Sequence, residues 1–268
     1  MSTGPDDDPT LARDVSERHD AIVEMTRING RVTVDDLAAH FEVTPQTIRK
    51  DLNDLAARRR IVRVHGGAVR PSGTANLEYD NRKLIASGEK AEIAAAVARL
   101  IPDGASLFIN IGTTTEQVAQ ALTAHRGLLA ITNNINVANI LRPAPGVEVV
   151  VAGGIVRRGD GGIVGEATVE FIQQFKVDYA VIGASAIDAD GALLDYDLRE
   201  VRVSQAIIRN ARQVILVADG MKFTRSAPVR IGHLSQIDVF VTDAPLPEPL
   251  QQLAEEIGLD VQFASETN

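Results

Sequence analysis

The sequence contains no cysteine, which excludes a disulfide framework and a zinc site built on thiolates. Its first ten residues, MSTGPDDDPT, lack the apolar segment of a secretory signal. The longest alanine-rich stretch, IAAAVARLI, contains Arg99 and is far shorter than the ~20 apolar residues that a membrane-spanning helix needs. These absences predict a cytoplasmic protein that does not associate with a membrane.

Common enzyme motifs are also missing. The patterns HExxH and GxSxG do not occur, and the five histidines are scattered without the spacing of a metal site. We therefore predict no catalytic residues, no cofactor and no metal, and we expect each histidine at the surface or in ordinary packing: His19, His40, His65, His125 and His233.

The charge is unevenly distributed along a chain that is apolar enough to bury a core. Apolar residues make up 45% of the 268 residues, and the formal net charge is −9. Between Glu42 and Arg70, seven basic residues stand against three acidic ones, so this segment carries +4 and the remainder −13. A basic segment on an acidic chain suggests one module that contacts a polyanion and another that does not. Charge alone favours the alternative, a solvated helix face, but the order of the residues shifts the balance towards the first.

The region around the basic segment predicts three helices. Ile22, Met25 and Ile28 recur at a spacing of three, and Asn29-Gly30 ends this first helix as a left-handed cap. RVTV predicts only a short extended connection. DDLAAHF predicts a second helix, and Glu42-Val43 forms the turn that follows it.

The third helix has the features of a recognition helix. Thr44 is its N-cap, Pro45 its first residue, and Ile48, Leu52 and Leu55 form one buried stripe. The opposite face carries side chains that can bind base edges and phosphates. With the cap, these predicted DNA-binding residues are Thr44, Gln46, Thr47, Arg49, Lys50 and Asn53.

RIVRVHGG, which follows, alternates apolar and basic residues and predicts the strand of a wing. It adds Arg60, Arg63 and His65 to the predicted DNA-binding residues. A small three-helix interaction domain is the alternative, but the agreement of cap, stripe, polar face and wing favours binding to double-stranded operator DNA.

VTPQTIRKDLNDLA followed by VRVHGGA resembles the signature of DeoR-type bacterial repressors. We expect a homo-oligomer that places two DNA-binding heads on a repeated or palindromic operator. We expect a flexible acidic tail at 1–14, a winged helix-turn-helix domain at 15–70, a linker at 71–87 and an effector-binding and oligomerisation domain at 88–268.

From about residue 88 the pattern alternates between helices and strands. Unbroken apolar segments such as SLFINI, LLAIT and VILVAD predict strands buried on both faces, and hence a mostly parallel α/β sheet with helices on both sides. Ligands of such sheets bind beyond the carboxyl ends of the strands.

Small, polar or cationic residues follow four of these strands. Glycine and threonine at the start of a helix can hold a phosphate through backbone N–H groups, although an ordinary glycine turn explains them equally well. Their convergence predicts an anionic small ligand, bound by Gly112, Thr113, Thr114, Thr115, Asn133, Asn134, Gly154, Arg157 and Lys222.

IGTTTEQVAQAL, TNNINVAN and IDADGALLD, in this order, resemble the effector domain of DeoR-type regulators, which is similar in fold to ribose-5-phosphate isomerase. The resemblance implies a phosphorylated effector, with phosphate contacts from Thr113, Thr114 and Lys222. It places the rest of the effector near Asn133, Asn134, Gly154, Asp195 and Glu200.

A sugar-phosphate isomerase or deaminase with an appended DNA-binding head is the rival hypothesis. Isomerisation needs a carboxylate base at the substrate carbon. The stretches that correspond to the clustered carboxylates and Lys-Gly-Gly run of the isomerases read GASAIDADG and LLDYDLRE here. Asp195, Asp197 and Glu200 could still supply a base, but the pattern favours a pocket that binds without turnover.

Overall fold

The computed structural model describes residues 9–29, 31–58, 60–64, 66–69, 79, 83 and 86–264. By its internal contacts the chain divides into two compact units, Met1–Thr74 and Ala75–Asn268.

The N-terminal unit combines helices with a small sheet. The helices are α1 (Pro9–Asn29), α2 (Val34–His40) and α3 (Pro45–Ala57), and the strands are β1 (Arg31–Thr33), β2 (Val62–Val64) and β3 (Gly67–Val69). Strand β3 pairs antiparallel with both β1 and β2. RVTV, expected to be a mere connection, therefore supplies a strand. A Cβ at Gly67 would lie 2.0 Å from the carbonyl oxygen of Val32, so only glycine allows this pairing.

Helix α1 begins at Pro9, which corrects the flexible tail expected over residues 1–14. Proline suits the first helical position because its missing N–H would have no partner there. Leucine, alanine and arginine, which follow, are good helix formers. The acidic start of the predicted tail, residues 1–8, and most of the predicted linker lie outside the described residues.

Helix α3 is anchored by an apolar stripe and by a buried carboxylate. Ile48, Leu52 and Leu55 are fully buried, as predicted. Asp51 is buried too, and it is paired with two residues of α1: Arg18 Nε lies 2.7 Å from its Oδ2, and His19 Nε2 lies 3.0 Å from its Oδ1. Because a buried charge is stable only with such partners, this cluster ties α1 to α3.

The C-terminal unit alternates strands and helices. The helices are α4 (Ser87–Leu100), α5 (Thr113–Ala121), α6 (Ile135–Leu141), α7 (Glu166–Ile172), α8 (Leu198–Arg209) and α9 (Glu248–Ile257). The strands are β4 (Ser106–Ile109), β5 (Leu128–Thr132), β6 (Val147–Val151), β7 (Ile155–Val156), β8 (Ile163–Val164), β9 (Val177–Ile182), β10 (Ala186–Ile187), β11 (Ala192–Asp195), β12 (Ala211–Val217), β13 (Val229–His233), β14 (Val239–Thr242) and β15 (Asp260–Phe263).

The main sheet, within the described residues, has seven parallel strands in the order β15-β14-β12-β9-β4-β5-β6. Both faces are buried: Leu107 and Ile109 pack with α4, α5 and α6, whereas Phe108 packs with α7, α8 and α9. The predicted parallel α/β sheet is therefore confirmed. The antiparallel sheet β10-β11-β13 and the hairpin of β7 and β8 were not predicted, since most of these strands are too short to show a pattern.

The order of the strands changes direction at β4. The chain proceeds from β4 to β5 and β6 on one side, then returns to β9 on the other side of β4. At such a switch point the connections after the two strands diverge and leave a crevice, which is where ligands bind in sheets of this kind.

Replacing Leu52 by alanine should destabilise the N-terminal unit by about 2–5 kcal/mol, because a fully buried side chain in the stripe of α3 is lost. Urea denaturation of the full chain measures the change. Asp54→Ala, at an exposed position of the same helix, is the control. An equal effect of both substitutions would contradict the packing of the stripe.

Candidate functional site

The polar face of α3 lies at the surface of the N-terminal unit. Thr44 caps the helix: its Oγ1 accepts a hydrogen bond from the backbone N–H of Thr47 at 3.2 Å. Thr47 itself is half-buried. The other side chains of this face are exposed, as base contacts require: Gln46, Arg49, Lys50 and Asn53.

The structure describes only some of the predicted wing residues. Arg60 is exposed, and its Nη1 lies 2.8 Å from Oδ1 of Asp20. Exposed ion pairs contribute little, so Arg60 can exchange this partner for a DNA phosphate at small cost. Arg63 lies on β2, and His65 lies outside the described residues.

In the C-terminal unit, a cleft opens at the switch point, beyond the carboxyl ends of β4, β9 and β12. It brings together residues that are far apart in the sequence. Its lining consists of Ile111, Gly112, Thr113, Thr114, Thr115, Gly183, Ala184, Ser185, Asp195, Glu200, Val217 and Lys222.

The N-terminus of α5 lines the cleft. Gly112 precedes the helix as its N-cap and has no side chain that could occupy the N–H groups of the first turn. These groups have no partner within a helix, and they attract an anion. Lys222 lines the same cleft. Thr115, however, donates its hydroxyl to the carbonyl oxygens of Asn110 and Gly112, both at 2.8 Å, so it supports the turn.

Two acidic residues also line the cleft. Asp195 ends β11, Glu200 lies in the first turn of α8, and both are buried. Glu200 Oε2 lies 2.5 Å from Nη1 of Arg157. Arg157 also forms an ion pair with Asp160, and its Nη1 lies 3.4 Å from Oδ2 of Asp197. The predicted residue Arg157 thus reaches the cleft through Glu200 and offsets part of its negative charge.

Burial perturbs the titration of this cluster. It raises the pKa of Glu200 to about 8, the negative charge of Asp195 acts in the same direction, and Arg157 acts against both. Burial also disfavours the charged form of Arg157, but Glu200 and Asp160 outweigh it and raise the pKa of the guanidinium. Glu200 can therefore accept or donate a hydrogen bond to a ligand near neutral pH.

The predicted residues Asn133 and Asn134 do not line the cleft. Asn134 Oδ1 accepts a hydrogen bond from the backbone N–H of Asn136 at 2.8 Å, and its Nδ2 donates to Oε1 of Glu116 at 3.1 Å. Asn133 Nδ2 donates to the carbonyl oxygen of Ile163 at 3.1 Å. Its Oδ1 is buried and has no hydrogen-bond partner among the described residues.

Gly154 does not line the cleft either, and packing accounts for its identity. A Cβ there would lie 2.1 Å from Oγ1 of Thr168, and φ is +149°. Seven of the eleven predicted effector residues thus line one cleft, whereas Asn133, Asn134, Gly154 and Arg157 do not.

Two family models match the chain. A DeoR-like helix-turn-helix domain matches residues 18–74, and the DeoR C terminal sensor domain matches residues 85–244. The chain belongs to the DeoR family of transcriptional regulators. The resemblance inferred from the sequence is confirmed, together with the order of a DNA-binding domain followed by an α/β sensor.

The relatives of this DeoR-family chain include the glycerol-3-phosphate regulon repressor of Escherichia coli (strain K12), 48% identical over 89% of this chain and 94% of that protein. The repressor of the same name from Haemophilus influenzae is 52% identical over 86% of this chain and 90% of that protein. A solved ribose 5-phosphate isomerase A from Methanocaldococcus jannaschii reaches a TM-score of 0.38 at 14% identity, over 52% of this chain and 55% of that one. A similarity so slight decides nothing about the site.

Membership of the DeoR family decides between regulator and enzyme. These relatives are transcriptional repressors, so the prediction of a regulator is confirmed over the rival isomerase with a DNA-binding head. Among the described residues, no three His, Cys, Asp or Glu side chains are grouped so that they could hold a metal ion. No helix in the described part of this DeoR-family chain is long and apolar enough to span a membrane.

Sequence reasoning missed one wall of the cleft in this DeoR-family sensor. Gly183, Ala184 and Ser185 follow β9 and lie beside the loop that follows β4. Small residues directly after an apolar strand were the available signal, the same one that identified Gly112. What the sequence does not contain is the pairing of β4 with β9.

Glu200→Gln should reduce the pH dependence of stability. Its pKa rises from 4.5 to about 8 on folding, so at neutral pH the folded protein holds a proton that the unfolded chain has lost. This contribution is complete below the unfolded value and disappears as the pH rises through the folded one. We expect wild-type stability to fall, relative to the variant, between about pH 5 and pH 8 in urea denaturation.

Glu170→Gln, at an exposed position of α7, is the control for this experiment and should follow the wild type. The same pH dependence in wild type and Glu200→Gln would show that Glu200 does not carry the proton.

Proposed function

We propose that this protein is a transcriptional repressor that leaves its operator when glycerol 3-phosphate binds the cleft at the switch point. The carrying observation is the set of groups that line one cleft: the N-terminus of α5 and Lys222 together with Asp195 and Glu200. The helix N-terminus and the ammonium suit a phosphate, and the carboxyl groups suit hydroxyl groups, as in a phosphorylated polyol. The names of the similar repressors support glycerol 3-phosphate over larger metabolites.

On the DNA side, we assign the operator contacts to the exposed face of α3 and to the wing. Gln46, Thr47 and Asn53 have the chemistry to bind base edges, and Arg49 can bind either a guanine or a phosphate. Lys50, Arg60 and Arg63 suit phosphates. Thr44 caps α3 at the end that enters the groove, and His65 would extend the wing contact. We infer a homo-oligomer, because one head reads too few base pairs to select an operator and two heads on a repeat multiply the selectivity.

The ligand acts by shifting an equilibrium between two forms of the oligomer. Only the form with both heads in register binds the operator well. Glycerol 3-phosphate lowers operator affinity to the extent that it binds the other form better, a coupling of typically ~1–3 kcal/mol.

Fluorescence anisotropy with DNA from the upstream region of its own gene tests this function. Release by glycerol 3-phosphate, but not by ribose 5-phosphate or fructose 6-phosphate, is the expected result. Release by one of the other two would change the effector and keep the switch. Tight specific binding that ignores all three would refute the proposed effector class.

Lys222→Ala should abolish release by glycerol 3-phosphate and leave operator affinity intact, since the variant loses a cation of the sensor and nothing of the DNA-binding unit. Lys176→Ala is the matched control, because that ammonium donates to the backbone carbonyls of Arg209 and Ala211 in the same unit. Normal release of the Lys222→Ala variant would exclude Lys222 as a ligand.

Arg49→Ala should weaken operator binding and flatten its salt dependence by about one unit of slope if Arg49 contacts a phosphate. Loss of discrimination between operator variants, with the slope unchanged, would instead assign it to a base. Arg99→Ala, which removes an exposed arginine of α4, should change neither quantity. An Arg49→Ala variant that matches this control would remove Arg49 from the interface.

A further inference from the structure

Tyr79 lies on the segment that joins the two units. It follows Thr74, where the N-terminal unit ends, and precedes Ser87, where α4 begins. Its hydroxyl donates a hydrogen bond to Oε2 of Glu116 at 2.5 Å. Tyr79 is therefore fastened, through its side chain, to helix α5 of the sensor.

Glu116 is only 4% exposed, so its carboxylate depends on the donors around it. Its Oε1 accepts from Nδ2 of Asn134 at 3.1 Å and from Nδ2 of Asn136 at 3.0 Å. Asn136 Nδ2 also lies 3.1 Å from the hydroxyl oxygen of Tyr79. Hydrogen bonds to a carboxylate are about twice as strong as those between neutral groups, so Tyr79 is held firmly.

This cluster touches the cleft by two routes. Glu116 lies in the first turn of α5, and its backbone N–H donates to the carbonyl oxygen of Gly112 at 3.0 Å. The second route runs through Asn136, whose Nδ2 donates to the carbonyl oxygen of Asp160 at 2.9 Å. The Asp160 carboxylate pairs with Arg157, and Arg157 pairs with Glu200 of the cleft.

We propose that the Tyr79–Glu116 hydrogen bond is the latch that couples occupancy of the cleft to the segment leading to the DNA-binding unit. The inference rests on the function proposed above. An anion bound at the N-terminus of α5 places negative charge one helical turn from the Glu116 carboxylate, the group that holds Tyr79. The ligand thus changes the stability of the Tyr79–Glu116 hydrogen bond directly. The chain between Tyr79 and the N-terminal unit then transmits this change to the DNA-binding domain.

The experiment compares Tyr79→Phe with wild type in the full-length protein. Operator affinity is measured by anisotropy with and without saturating glycerol 3-phosphate, and calorimetry measures glycerol 3-phosphate binding without DNA. A typical coupling is about 5–150-fold. We expect the ratio of the two operator affinities to fall severalfold, towards one, while glycerol 3-phosphate still binds.

Tyr196→Phe is the matched control. It also loses one hydroxyl hydrogen bond of the sensor, that from Tyr196 to the carbonyl oxygen of Ser226 at 2.9 Å, and it should keep the wild-type ratio. A Tyr79→Phe variant that keeps the wild-type ratio would overturn the latch. A merely structural anchor would change stability without changing this ratio.

A double-mutant cycle assigns the effect to the bond. If Tyr79 and Glu116 act together, Tyr79→Phe combined with Glu116→Gln should change the ratio by less than the two single effects added. Additive effects would mean that the two residues act separately and would overturn the proposal.

Hydrogen exchange separates failure of the latch from failure of the proposed function. Without DNA or ligand, Tyr79→Phe should speed amide exchange in residues 71–86 relative to Tyr196→Phe. If none of the three phosphates releases the wild type from DNA, the proposed effector is wrong. The exchange measurement still tests the latch, because it uses neither DNA nor ligand. Unchanged exchange in the joining segment would overturn it.

Discussion

The pairing of β4 with β9 is the constraint on which the sensor depends. Parallel strands need long crossovers, and here the chain completes β5 and β6 on one side before it returns to β9 on the other. That return sets Gly112 beside Gly183 and leaves the cleft between their loops. The charged residues of the cleft then come from the ends of strands and from the segments after them: Asp195 ends β11, and Lys222 follows β12.

A structural element can be predicted from this sequence where neighbouring residues alone determine it. Thr44 and Pro45 mark the start of α3 because a cap is a property of neighbouring residues, and SLFINI reads as a buried strand because both its faces are apolar. Strand β1 is not predictable in this way, because its three residues form a strand only by pairing with β3, where Gly67 allows the close approach. The start of α1 was misplaced because prolines and aspartates read as a tail.

The candidate site shows the same division. Gly112 and Lys222, chosen because they follow strands, line the cleft, whereas Gly154, chosen by the same signal, packs against Thr168. Arg157 was chosen as a cation for the ligand, yet the fold uses it to hold Asp160 and Glu200. Such pairing depends on long-range contacts that no local pattern records.

In the N-terminal unit, Asp51 lies on the buried side of α3, opposite its exposed polar face. Arg18 and His19 pair with this carboxylate on the inner side of α3. If the helix rotated about its axis, the carboxylate would lose these partners, which a buried charge requires. The outward side chains carry no part of that support. Substitution of Gln46 or Arg49, which are exposed, therefore leaves the contacts that support α3 in place.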